Sequence, residues 1–106
     1  METKYEKVIS IKVSERKTKK YVASVKNKST QKIRLVHFGG YGYEQYKDIT
    51  GIGEFSDSNH KNTKRRKAYF SRHSAGITKK SEAIKYEISK SNGIINAKIL
   101  SHKYLW

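Results

Sequence analysis

Two stretches near the start of the chain alternate apolar and polar residues with a period of two, so each can lay one side of a β-strand on a core and the other in water. Ile9, Ile11 and Val13 alternate with Ser10 and Lys12, and Tyr21, Ala23 and Val25 repeat the pattern. A third run, Lys32 to Phe38, is rich in β-forming residues. The connections Ser14–Lys19 and Asn27–Gln31 are short and polar, which suits turns between antiparallel neighbours. The spacing predicts a three-stranded antiparallel meander. Its apolar face is expected to hold Ile9, Ile11, Tyr21, Ala23, Ile33 and Leu35, and its wet face Lys12, Lys26, Lys32 and Arg34.

After Phe38 the pattern breaks at Gly39-Gly40-Tyr41-Gly42-Tyr43, a loop in which glycine permits positive φ and close approach of the backbone. Turn formers continue through Gly51, Gly53, Asp57, Ser58 and Asn59. Lys61 to His73 then contains neither Gly nor Pro and reads as a helix, capped by Asp57, Ser58 or Asn59 and anchored by Tyr69 and Phe70. Ile84, Tyr86 and Ile88 fit a strand by alternation, while Ile84 and Ile88 fit one helical face, so periodicity leaves this stretch open between the two. From Asn92 onward, Ile94, Ala97, Leu100 or Ser101, and Tyr104 recur at three- or four-residue spacing, which predicts a terminal helix capped by Asn92. The expected fold class is α+β: one small domain over residues 1–106, with an N-terminal three-stranded meander, a Gly/Tyr loop and two or three short helices. Trp106 is expected to fold back onto the core or to dock in a partner's pocket.

Charge narrows the function. Among 106 residues, 24 are Lys or Arg and 9 are Asp or Glu, a net of +15. Self-repulsion of this size raises the free energy of the isolated fold and is relieved by phosphates or carboxylates. The distribution is segmental: residues 1–35 carry a net +8, residues 36–60 a net −3, residues 61–73 six cations with no acid, and residues 74–106 a net +4. Two clusters concentrate the positive charge. Arg16, Lys17, Lys19 and Lys20 surround the first turn, while Lys64, Arg65, Arg66 and Lys67, with Arg72 beyond them, lie in the expected first helix. The second cluster is open between a nuclear address, a phosphate-binding edge and a solvated helix face.

Other chemistries lack their residues. The chain has no cysteine, so disulfides and thiolate metal sites are excluded. No pair among His37, His60, His73 and His102 has the i, i+4 spacing of a helical zinc site. Gly40-Tyr41-Gly42 follows a strand but lacks the third glycine of a dinucleotide fingerprint. No membrane span, cofactor or small-molecule substrate is expected, and no catalytic constellation is evident, so the chain reads as a binding or structural protein and not an enzyme. Tyr41, Tyr43 and Tyr46 are candidates for an interface loop or for local packing. Glu44 and Asp48 beside them oppose contact with a phosphate backbone.

Several segments resemble an uncharacterised family of small basic proteins encoded by nucleocytoplasmic large DNA viruses of the giant-virus and algal-virus kind. They are Lys19-Lys20-Tyr21-Val22-Ala23, the strand ending His37-Phe38-Gly39, Gly42-Tyr43 followed by Tyr46, Arg66-Lys67-Ala68-Tyr69-Phe70-Ser71-Arg72-His73, and the final Leu105-Trp106. The chain is longer than that pattern between Tyr46 and His60 and between His73 and Gly93, and Ile94 and Ile95 stand where the family favours aromatics. The resemblance implies a place in the virion, with host cytoplasm or nucleus as the site of assembly, and supplies no catalytic residues. Three readings follow in order: a minor capsid or cementing protein whose partners are other virion or capsid proteins, a genome-associated protein that neutralises packaged DNA or RNA through phosphate contacts, and a host-directed nuclear factor.

Overall fold

In the computed structural model, which describes residues 1–106, the alternating runs form β1 (Glu6–Val13), β2 (Lys19–Asn27) and β3 (Ile33–Gly40). They make one sheet in the order β1-β2-β3 with antiparallel neighbours, the meander expected from the short connections. Three helices follow, α1 (Thr63–His73), α2 (Lys80–Lys90) and α3 (Ala97–Tyr104), so the fold is α+β. The stretch that alternation leaves open, Ile84 to Ile88, is helical and lies in α2.

The central strand sets the faces of the sheet. Tyr21, Ala23 and Val25 of β2 are fully buried, and the residues opposite them are Val13, Ile11 and Val8 in β1 and Phe38, Val36 and Arg34 in β3. This reverses the expected face of β3. Ile33 and Leu35 point to solvent, 56% and 63% exposed, and Arg34 turns inward. Ile9 also leaves the core face. Val8 pairs with Val25 but Ser10 with Ser24, so β1 contains one extra residue, and such a bulge flips the side-chain parity across it.

Arg34 faces inward because a buried carboxylate waits there. Its Nε and Nη2 donate to Glu6 at 3.0 and 2.8 Å, Nη2 also donates to the carbonyl of Ile95 at 2.6 Å, and the Ile95 N–H donates to Glu6 at 2.7 Å. This fork ties two strands to the segment entering α3. Burial alone would raise the Glu6 carboxyl, but Arg34 and the Ile95 amide outweigh it and hold the group below its ordinary value.

Two helix starts shift toward the C-terminus. Asn62 caps α1, its Oδ1 accepting from the Arg65 N–H at 3.0 Å, and the expected caps Asp57 and Ser58 belong instead to a 3₁₀ turn, Ser56–Ser58, which Asn59 ends. Asn96 caps α3, accepting from the Ile99 N–H at 2.9 Å, while Asn92 sits at φ 56° in the turn after α2. Two apolar clusters result. One joins the sheet to Ile95, Leu100 and Leu105; the other joins Tyr69 and Phe70 of α1 to Ala83 of α2, and Trp106 packs against both.

Candidate functional site

A helix repeats every 3.6 residues, so Arg65, Tyr69, Arg72 and His73, at i, i+4, i+7 and i+8, share one stripe of α1. That stripe forms one wall of a cleft of about 500 Å³. Gly39, Gly40 and Lys20 from the end of the sheet, Tyr43, Glu44 and Gln45 from the following loop, and Ser101, Leu105 and Trp106 from the end of the chain complete it. Five of the binding and interface candidates read from the sequence therefore meet here: Lys20, Tyr43, Arg65, Arg72 and Trp106.

Lys20 is the least ordinary of them. The charge pattern places it at an exposed turn, yet it is 2% exposed, and its Nζ donates to the carbonyl of Tyr43 and to Oε1 of Gln45. Burial pushes its ammonium below the usual lysine value, with Asp48 opposing the shift. Neither hydrogen-bond acceptor carries a charge, so the loop solvates the cation directly and supplies counter-charge only through Asp48. Gln45 is fixed in turn: its Nε2 donates to Phe55 O at 2.7 Å and to Asn59 Oδ1 at 2.8 Å.

Two glycines allow this loop to close over the sheet. Gly39 has φ 78°, and a Cβ there would lie 2.8 Å from Cδ1 of Leu105; one on Gly40 would lie 2.7 Å from the Tyr43 ring. The connection from Gly40 to Thr63 has only one short 3₁₀ turn, and loops of that length inside a compact domain are usually functional. It is held at many points, including Lys47 N to Leu105 O at 3.1 Å and Ile49 N to Tyr104 O at 2.9 Å.

The aromatic candidates divide. Trp106 is a packing residue, its ring parallel to Tyr69 with centroids 4.0 Å apart and 5.2 Å from His60. Tyr46 is half-buried beneath Arg66, whose guanidinium lies 4.5 Å from the ring centroid. Tyr41 and Tyr43 stand in solvent, Tyr43 at 74% exposure.

The basic clusters divide as well. Lys64, Arg65 and Lys67 are exposed, but Arg66 turns inward, its Nε without a hydrogen-bond partner and its charge resting on the faces of Tyr46 and Phe70. Arg16 and Lys17 are exposed at the first turn and Lys19 is half-buried. The Gly/Tyr loop bridges the two clusters: Tyr41 N donates to Thr18 O at 3.0 Å, and Glu44 pairs with Arg65 at 3.4 Å. Among all the basic side chains only Lys28, Arg34, Arg65 and Lys98 reach a carboxylate, so most of the positive charge stands unpaired.

His73 and His60 add little charge. Burial, then Arg72 and Lys98, lowers the His73 value against the pull of Glu87; burial and Arg65 lower that of His60 against Glu44. No three His, Asp or Glu side chains gather as a metal would require. Ser74 Oγ does lie 2.8 Å from His102 Nε2, but both residues are sealed in the interior and the serine hydroxyl also serves Glu87 at 3.0 Å.

Gln45, Ser101 and the two glycines do not announce themselves in the sequence as cleft residues, because nothing local links them to α1. The i, i+4, i+7, i+8 stripe is the available signal for His73 and Tyr69. No family model, curated protein or solved structure matches the chain, so its function has to be argued from these residues and their geometry.

Proposed function

We propose that the chain is a non-enzymatic structural protein of a large DNA virus particle, a minor capsid or cementing component that grips an acidic segment of another virion protein. The viral setting rests on the family resemblance of its segments. The partner chemistry rests on one observation: the cleft places the exposed Arg65 and Arg72 and the buried Lys20 around one concavity in which Glu44 is the only acid, with the exposed ring of Tyr43 at its rim. Carboxylates of a partner would pair with Arg72 and with the outer face of Arg65, and an aromatic rim adds contact area at low entropic cost.

A second reading, a genome-associated protein that neutralises packaged nucleic acid, is favoured by the large share of basic side chains without a carboxylate partner. Location separates the two. Mass spectrometry of purified particles split into shell and core fractions should find the chain in the shell, and Arg65→Ala with Arg72→Ala should lower its incorporation without altering its melting. Recovery in the core fraction alone would replace the first reading by the second, and absence from particles would end both.

A further inference from the structure

The side of the sheet that faces away from the helices has no partner inside the molecule. Strand alternation and register place Lys7, Lys26 and Ile33 in one row across it, Ser10, Ser24 and Leu35 in the next, and Lys12, Val22 and His37 in the third. No Asp or Glu falls in these rows. The nearby Glu2, which bridges to Lys7, is held by Lys28 at 2.5 Å. At one end of the face stands the basic first turn with exposed Arg16 and Lys17, where Glu15 is the only acid.

We infer that this face is a docking surface for B-form duplex DNA, independent of the cleft. Two adjacent strands about 4.8 Å apart make a ribbon of the kind that a major groove about 12 Å wide and 8.5 Å deep admits, and the sheet offers two such pairs. The central row carries the small Ser10 and Ser24 beside the projecting Leu35, and the serine hydroxyls can both donate to and accept from base edges. Lys7 and Lys26 lie in the row on one side of this central row and Lys12 in the row on the other, so cations border it on both sides. Exposed Ile33 and Leu35, with Ile9 at the bulge, supply the apolar contacts that thymine methyl groups accept. A-form RNA has a deep, narrow major groove that a sheet of this width does not enter, so the inference is specific to DNA.

Charge complementarity underlies this docking, and salt dependence tests it. The probes are a short mixed-sequence DNA duplex and the same sequence as duplex RNA, titrated with the full chain at several salt concentrations. The wild type should bind the DNA with a linear loss of log affinity against log salt, and bind the RNA at least tenfold more weakly. The triple variant Lys7→Ala, Lys12→Ala, Lys26→Ala should reduce the slope by up to about 2.7, at about 0.9 for each phosphate no longer neutralised. Leu35→Asp should weaken binding tenfold or more while melting stays cooperative, because the side chain is exposed. The pair Arg65→Ala, Arg72→Ala should leave DNA affinity nearly unchanged, which separates this surface from the cleft. Absence of duplex binding, equal affinity for RNA, or a triple variant with unaltered slope would each overturn the inference.

Discussion

The hydroxyl of Tyr69 lies 2.9 Å from Nδ1 of His102, and this contact fixes the direction of a buried hydrogen-bond chain through all three helices. Glu87 only accepts when ionised, so Ser74 donates to it at 3.0 Å and must accept from His102 Nε2–H at 2.8 Å, leaving Nδ1 to accept from Tyr69. Removing a link orphans a buried polar atom. Tyr69→Phe should cost about 1–3 kcal/mol and Ser74→Ala at least as much, since it strands both Nε2–H and a carboxylate oxygen. Urea denaturation of the two variants measures this, and costs below about 0.5 kcal/mol would mean that the chain of bonds is not formed in solution.

The same burial gives the fold an acid limit. Desolvation, with smaller contributions from His73, Lys98 and Lys80, lowers His102 from 6.5 to about 4, so the folded state keeps it neutral where the unfolded state protonates. Its contribution is therefore complete above pH 6.5 and is lost as the pH falls toward 4, an amount of about 3 kcal/mol for a shift of this size. His37, His60 and His73 are lowered too and act in the same direction. The difference between wild type and His102→Gln isolates the one group: the gap in unfolding free energy should narrow as pH drops from 7 to 4.5. A gap independent of pH would remove His102 from the account.

Glu6 and Arg34 make a second acid-sensitive link, this one between the sheet and the entry to α3. Arg34→Met leaves Glu6, 3% exposed, with only the Ile95 amide as partner. Breaking a buried pair costs about 3–5 kcal/mol, and because Arg34 is itself partly exposed the lower end is expected. Because the folded carboxyl value is depressed, the stability of the pair is present above the ordinary carboxyl range and disappears as pH falls through the folded value. Arg34→Lys should recover only part of the loss, since an ammonium cannot reproduce the two-pronged contact. Full recovery by lysine would show that charge alone matters there.

The two faces of β3 give a direct test of register. Phe38→Ala should cost about 3–5 kcal/mol, while Leu35→Lys should stay within about 0.5 kcal/mol of wild type. Comparable losses at both positions would contradict the pairing of Phe38 with Tyr21. This is also where the sequence is least informative. Ile9, Ile11 and Val13, then Tyr21, Ala23 and Val25, announce strands, and the turns between them announce the meander. In Lys32 to Phe38, however, Ile33 and Leu35 make one apolar set and Val36 and Phe38 another. The choice falls to a contact distant in sequence, Arg34 with Glu6, and to a bulge at Ile9 that alternation does not mark. The cleft is half legible for the same reason. Its cations and aromatics stand out by type, but their meeting depends on the glycines at 39 and 40 letting the loop close against Leu105, and on Gln45 binding a lysine that the charge pattern places in solvent.

The first turn of α1 sets stability against function. A helix N-terminus carries partial positive charge and favours acidic residues, yet this one has none, and Lys64 and Arg65 occupy its opening positions. Each exposed cation there is unfavourable by about 0.3–1 kcal/mol at low ionic strength. Reversing one of them should therefore stabilise the isolated protein: Lys64→Glu is expected to raise the unfolding free energy by about 1 kcal/mol, an increase that shrinks as salt screens the field. The Asn62 cap is untouched by the change, so helix α1 remains intact. If the basic edge serves an anionic partner, as proposed, the same substitution should reduce incorporation into particles while improving the fold. Denaturation at low and high salt, set beside quantitative recovery in purified particles, reads both effects on one variant. Gain of stability with undiminished incorporation would make Lys64 a solvated residue with no part in the contact, and the burden of partner binding would pass to Arg65 and Arg72 in the cleft.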